Sequence, residues 1–259
     1  MYILINFSLT KILIEYQIAL VRYTKNKKKN FVYSKNPDND SFKKHFIIYY
    51  FMEAVLSQWV NKHYTDQDII KNLQKEFISN KPFEHIELNN FFKKDKLLLL
   101  EKDLEKEKFE EKNTDLFSLL QSNDLNESKQ KFIKEFVNLL NSKEFTTLIT
   151  SITGIKLAPG KTDISAVKYR QYDYLLCHDD VIDNRKVAFI LNLSDFQEKD
   201  GGSLQLFDTK ATKPNKIVKK IIPKFNNLVL FRVSKLSFHQ VEEVYGKNER
   251  KTISGWFNG

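Results

Sequence analysis

The sequence predicts an α+β fold, with a helical N-terminal layer against a C-terminal β-barrel, and three observations carry that prediction. Apolar residues recur at three- and four-residue spacing through much of residues 52–155. After Gly160 the pattern changes to short β-branched and aromatic runs separated by turn residues. The 21 Phe and 11 Tyr of the 259-residue chain supply the apolar bulk for a sizeable core.

Residues 1–51 read as a basic and apolar extension outside that fold. Met1 to Tyr23 is apolar, but Lys11 and Glu15 interrupt it, so no run reaches the ~18 residues that a membrane span needs. Its positive charge, at Arg22, Lys25 and Lys27 to Lys29, follows the apolar stretch, whereas a signal peptide carries it first. Residues 24–44 are polar and Lys/Asn-rich, with a turn at Pro37 to Asp40, and read as a linker. Helical periodicity starts at Met52. The folded domain is therefore expected over 52–259, helical at 52–155 and β-structured at 160–259, and 1–51 is either an appendage or a mis-assigned start.

In the helical part, the spacing predicts helices over 66–77, 94–107 and 128–141, with Leu97 to Leu100 facing the core, and a short strand over 85–88. The β part predicts strands over 164–172, 174–178, 187–193, 203–207, 228–233, 238–244 and 252–257. Asp200-Gly201-Gly202, Pro223 with Asn226-Asn227, and Gly246 supply the turns. Strands at this spacing suggest a sandwich or barrel.

Only 7 Gly and 5 Pro exclude collagen-like and flexible-linker classes. A single cysteine, Cys177, excludes a disulfide scaffold and an all-cysteine metal site, and fits a reducing compartment, so the cytoplasm is expected, with the nucleus open in a eukaryote. The net charge of +9 hints at an acidic partner. Nine basic and three acidic residues of the total lie in 1–51, so the domain itself is nearly balanced. Its one local basic feature is Lys210, Lys213, Lys216, Lys219, Lys220 and Lys224, with Asp208 as the acid nearby. This segment reads either as a solvated loop and edge strand or as a weak RNA or ribosome contact.

Chemistry concentrates in the β half. His45, His63 and His85 have no neighbouring ligand pattern. His178 lies in Cys177-His178-Asp179-Asp180, and on an extended segment His178 and Asp180 project to one face. An imidazole and a carboxylate there, joined by His239 from a distant strand, form a two-histidine, one-carboxylate set that suits a divalent metal and leaves positions open, the signature of non-haem Fe(II) oxygenases. Arg250 follows His239 by eleven residues and opens the last strand, where its fork could grip a co-substrate carboxylate.

These residues, with Leu175 to Asp180, Val187 to Leu191, Gly201 to Leu204, Pro223 to Asn226, Ser237 to Val244 and Ile253 to Phe257, resemble the Fe(II)/2-oxoglutarate-dependent prolyl hydroxylases, and among them the ribosomal prolyl hydroxylases of Tpa, Ofd and OGFOD type. The resemblance covers roughly residues 80–259. It implies a double-stranded β-helix, a jelly-roll of cupin type, with His178, Asp180 and His239 as iron ligands and Arg250 on the distal carboxylate of 2-oxoglutarate. Tyr169 matches a family tyrosine that helps hold this co-substrate, and equally reads as a plain strand aromatic. The implied enzyme is a dioxygenase that hydroxylates a prolyl residue of a small-subunit ribosomal protein, consumes 2-oxoglutarate and O2, releases succinate and CO2, and is sustained by ascorbate.

Two departures accompany the match. A second family tyrosine, fourteen residues after the first iron histidine, is Asn192 here, whose amide can still donate to a carboxylate over a shorter reach. Relatives of this type also carry a second, non-catalytic β-helix domain, whereas this chain stops at Gly259, where the catalytic domain is expected to end. Rival readings are a same-fold oxygenase acting on another peptide, a small molecule or a nucleic acid, and a non-enzymatic ribosome- or RNA-binding module. Nucleic-acid demethylases of this fold carry two arginines six residues apart in the last motif, where this chain has Arg250 and Trp256.

Overall fold

The helices form along apolar stripes, and some of them start on a side-chain cap. The computed structural model describes residues 55–160, 162–182 and 184–259; the expected extension and the start at Met52 lie outside them. Helix α1 (Gln67–Ser79) begins where the Asp66 carboxylate accepts the N–H groups of Asp68 and Ile69, and it buries Ile70 and Phe77. Strand β1 (His85–Asn89) follows, then α2 (Lys94–Leu104), which buries Leu97, Leu100 and Leu104 and leaves Leu98 exposed. Helix α3 (Lys131–Leu140) buries Ile133, Phe136, Val137, Leu139 and Leu140, and α4 (Lys143–Thr153) starts on the Ser142 hydroxyl. None of the described helices is long and apolar enough to cross a membrane.

The stretch 105–127 departs from the helical expectation. It forms a hairpin of β2 (Phe109–Asn113) and β3 (Phe117–Ser122), closed by a turn at Thr114 to Leu116. The Glu/Lys-rich run at 105–112 looks like a solvated helix face in isolation. Pairing of β3 with both β4 and β5 overrides that preference and buries Leu119. Helix α4 lies in the part expected to be helical but is not singled out as an element, because its Thr-rich sequence has weak helix propensity, and packing of Phe145, Leu148, Ile149 and Ile152 forms it.

The remaining strands are β4 (Thr162–Tyr169), β5 (Tyr174–His178), β6 (Arg185–Asn192), β7 (Leu204–Lys210), β8 (Lys213–Ile221), β9 (Asn227–Arg232), β10 (His239–Val241) and β11 (Arg250–Asn258). Among the described residues they form one antiparallel sheet in the order β1-β9-β6-β11-β4-β3-β5-β10-β7-β8, with β2 on β3. The sheet curls into a jelly-roll half-barrel, so the expected fold class holds. Strand β10 is shorter than the predicted 238–244, because its register against β5 slips between His239 and Val241. The lysine segment predicted as a loop with an edge strand is mostly strand β8.

Alternation sorts the two faces of the sheet. Val187, Phe189 and Leu191 of β6 and Ile253 and Phe257 of β11 join the helices in one core. Ala188 of β6, Val229 and Phe231 of β9, and Leu204 and Leu206 of β7 face the barrel interior. On β11 the interior positions are Arg250, Thr252, Ser254 and Trp256, which all line the same cavity.

Candidate active site

The interior holds a cavity of about 260 Å³ lined by all five residues singled out in the sequence: Tyr169, His178, Asp180, His239 and Arg250. His178 ends β5 and His239 opens β10, and the two are direct partners across that antiparallel pair. Their rings lie 4.2 Å apart between centroids. Asp180 reaches the same spot differently from the expected strand alternation. It lies beyond the end of β5 with φ 61°, so a turn swings its carboxylate back between the two rings.

His178 Nε2 is 3.3 Å from Asp180 Oδ1, and His239 Nε2 is 3.3 Å from Asp180 Oδ2. The Nδ1 of His178 donates to the Leu176 carbonyl at 2.8 Å, and that of His239 to the Ser237 carbonyl at 2.8 Å. A carbonyl only accepts, so each Nδ1 carries a proton, and Nε2 is the atom of each ring that faces Asp180. One ligand atom from each residue lies within 4.8 Å of the others, a spacing that one divalent ion can span. Burial raises the proton affinity of Asp180, but hydrogen bonds and charge from His178 and His239 outweigh it and hold the carboxyl far below its usual range. Burial lowers that of His178, and Asp180 more than offsets this, so the net shift is upward. The donor set therefore fits Fe(II).

Arg250 marks the other end. It is 1% exposed, its Nε has no hydrogen-bond partner, and it makes no ion pair among the described residues. Burial depresses its proton affinity, with Tyr169 opposing. A buried, uncompensated guanidinium is costly, which fits a site built to receive a carboxylate. Tyr169 faces Arg250 across β4 and β11, with the guanidinium carbon 5.0 Å from its ring centre. Burial pushes the Tyr169 hydroxyl up to about 12 against the pull of Arg250, with Asp173 and Asp180 adding to the rise, so it stays a donor. Gly202 makes room for this arrangement: with φ 66° it approaches Arg250 so closely that a Cβ would sit 3.2 Å from Arg250 Cδ.

Asn192 does not take up the role left open for it. Its Nδ2 donates to Asn227 Oδ1 at 3.3 Å, its Oδ1 is buried without a partner, and it does not line the cavity.

Two lining residues escaped sequence reasoning. Trp256 shares the interior face of β11 with Arg250, and its indole Nε1 is buried without a hydrogen-bond partner. The even spacing from Arg250 through Thr252 and Ser254 was the signal that could have found it. Arg185 stacks on it, with the guanidinium carbon 3.4 Å from the ring centre, and nothing in its local sequence marks it. Both belong to the end that holds His178, Asp180 and His239. Phe231 packs against the His239 ring at 4.6 Å, pairs with Ala188, and Ala188 pairs with Trp256.

Residues 164–258 match the family model of the 2OG-Fe(II) oxygenase superfamily. The chain is 42% identical over 182 residues to mouse prolyl 3-hydroxylase OGFOD1, covering 69% of this chain and 33% of that protein. It is 34% identical over 166 residues to the Drosophila melanogaster prolyl 3-hydroxylase sudestada1, covering 60% and 30%. It thus spans about a third of the length of these curated relatives. Its fold is similar to that of a Pseudomonas putida prolyl-4-hydroxylase, with a TM-score of 0.57 at 17% identity over 72% of this chain and 98% of the other. A Trichoplax adhaerens prolyl hydroxylase solved with a hypoxia-inducible-factor peptide gives 0.57 at 18% identity over 76% and 95%. The His-Asp-His cluster, the buried arginine and the matched sequence agree, and residues 164–258 carry a 2OG-Fe(II) oxygenase domain.

Proposed function

We propose that this chain hydroxylates a prolyl residue of a protein substrate, consuming 2-oxoglutarate and O2 and releasing succinate and CO2. The observation that carries the reading is the pairing, in one cavity, of the His178, Asp180 and His239 cluster with the buried, uncompensated Arg250. His178, Asp180 and His239 would hold Fe(II), which when bound supplies the activation of O2 for attack on a C–H bond. Arg250 binds the distal carboxylate of 2-oxoglutarate, and the protonated Tyr169 hydroxyl donates a second hydrogen bond to it. The apolar walls formed by Leu204, Val241 and Phe231 exclude water between the two ends.

Trp256 and Arg185 stand at the iron-ligand end, where the target must enter. The indole face suits the C–H groups of a saturated, puckered ring, and its unpartnered N–H and the Arg185 guanidinium suit the carbonyls of a peptide. The activity named for the mouse and fly relatives supports a prolyl target. The resemblance to ribosomal prolyl hydroxylases favours a small-subunit ribosomal protein, with ascorbate as the reductant that sustains turnover and the cytoplasm, or in a eukaryote also the nucleus, as the place of action. Peptide mapping of ribosomal proteins from cells with and without the gene tests this. The reading expects a single-oxygen mass increase on a prolyl residue that disappears in the deletion; identical maps would overturn it.

A further inference from the structure

The hairpin of β7 and β8 carries lysines that the chemistry above does not use. It closes tightly, with Ala211 and Thr212 at φ 50° and 64°, and β8 is the outermost strand of the sheet. Two of its lysines, and Lys224 just beyond it, are engaged. Lys219 Nζ lies 2.9 Å from Glu87, Lys220 Nζ lies 3.3 Å from Glu242, and Lys224 Nζ donates to the Phe196 carbonyl at 2.8 Å. Lys210, Lys213 and Lys216 are exposed and form no ion pair among the described residues. The nearby carboxylate of Asp208 is taken, since its Oδ1 accepts from the Lys216 backbone N–H at 2.8 Å and from Asn215 Nδ2 at 3.1 Å. Lys210 and Lys213 are direct cross-strand partners, where like charges repel.

The hairpin also points somewhere specific. Leu206 of β7 faces His239, and Lys210 lies four residues further along, roughly 13 Å by strand rise, toward the turn at 234–237. Ser237 of that turn donates to the Asp179 carbonyl at 3.2 Å, which ties it to the loop carrying Asp180. This is the open end of the cavity: the His178 side chain is 32% exposed, while Arg250 is sealed.

We propose that Lys210, Lys213 and Lys216 contact the phosphate backbone of RNA and hold a ribonucleoprotein substrate at the cavity mouth, an inference that rests on the ribosomal reading above. One phosphate accepts from two ammonium groups at once, which would turn the repulsive Lys210–Lys213 pair into a clamp. Lysine ammonium groups act as point charges and read no sequence, as a backbone contact requires.

The test is a fluorescence-anisotropy titration of the full chain with a short oligouridylate over a range of salt. Wild type is compared with the Lys210→Glu/Lys213→Glu variant and with Lys75→Glu, an exposed helix lysine, as control. The basic extension is present throughout, so the difference between proteins is the readout. The proposal expects the double variant to lose about tenfold in affinity and its salt slope to become shallower by about 1.4, with the control unchanged. Unchanged affinity and slope in the double variant would overturn it. Displacement of the RNA by poly-glutamate at equal charge would do the same, because it would make the site one for acidic polypeptides. Binding is read without turnover, so it stands apart from the hydroxylase reading, which fails if wild type leaves a proline-containing peptide unmodified. The double variant should hydroxylate that peptide at the wild-type rate, and a slower rate at unchanged RNA affinity would also overturn the proposal.

Discussion

Arg250 and Tyr169 face each other across β11 and β4, sealed from solvent, with the guanidinium carbon 5.0 Å from the tyrosine ring centre. No carboxylate among the described residues answers the charge, so the pair is preorganised for an acidic ligand. Arg250→Ala should remove on the order of 2 kcal/mol of binding, a rise of about thirtyfold in the 2-oxoglutarate requirement. The iron requirement should move far less. Titrating both ligands against succinate release checks this, and a larger shift for iron would refute the role of Arg250. Tyr169→Phe should produce a smaller rise in the same direction.

Gly202 gives a prediction from shape alone. A Cβ at this position meets Arg250 Cδ, Phe196 Cε2 and Val244 Cγ2, each at 3.2 Å, in a backbone conformation that L-residues rarely adopt. Gly202→Ala should destabilise the fold by about 1–2 kcal/mol and weaken 2-oxoglutarate binding, through displacement of Arg250. Calorimetry on the variant reads both quantities, and wild-type affinity would show that the packing around Arg250 is looser than described.

A change at Trp256 tests the proposed target side apart from the co-substrate side. Trp256→Phe keeps an aromatic face and removes the unpartnered indole N–H. It should slow hydroxylation of a prolyl peptide about tenfold while leaving 2-oxoglutarate affinity unchanged. Peptide turnover at several 2-oxoglutarate concentrations distinguishes the two, and a shift confined to 2-oxoglutarate would assign Trp256 to the other end.

Asp103 links stability to pH. Its carboxylate accepts the Phe132 N–H at the start of α3 at 2.8 Å and pairs with Lys106 at 2.6 Å. The Lys106 hydrogen bond, helped by Phe132 and opposed by burial, holds its proton affinity below the ordinary value. Its contribution is therefore complete above the unfolded carboxylate value of about 3.9 and fades as pH falls through the lower folded value. Asp103→Asn should cost about 1 kcal/mol near neutral pH, with the gap to wild type closing in acid. Urea denaturation at the two pH values checks this; a gap that widens in acid would contradict it.

The parts of this site that were legible in the sequence are those whose chemistry fixes the residue type. His178, Asp180, His239 and Arg250 stood out because metal and carboxylate binding need those groups on strands, and the cavity contains all four. Asp180 was found by the wrong geometry, since turn conformation, not strand alternation, presents it. Trp256 and Arg185 were missed because an interior tryptophan looks like core, and a stacked arginine is defined only by its distant partner. The hairpin of β2 and β3 was missed because its strands exist only through pairing with β4 and β5, which local periodicity does not encode.

The central claim is that the His178, Asp180 and His239 cluster is an iron centre working with 2-oxoglutarate. Succinate release from 2-oxoglutarate by purified protein, with and without Fe(II), tests it most directly. The account predicts iron-dependent release by wild type and a loss of at least about a hundredfold in a folded His178→Ala variant. Equal release by the two proteins would contradict it.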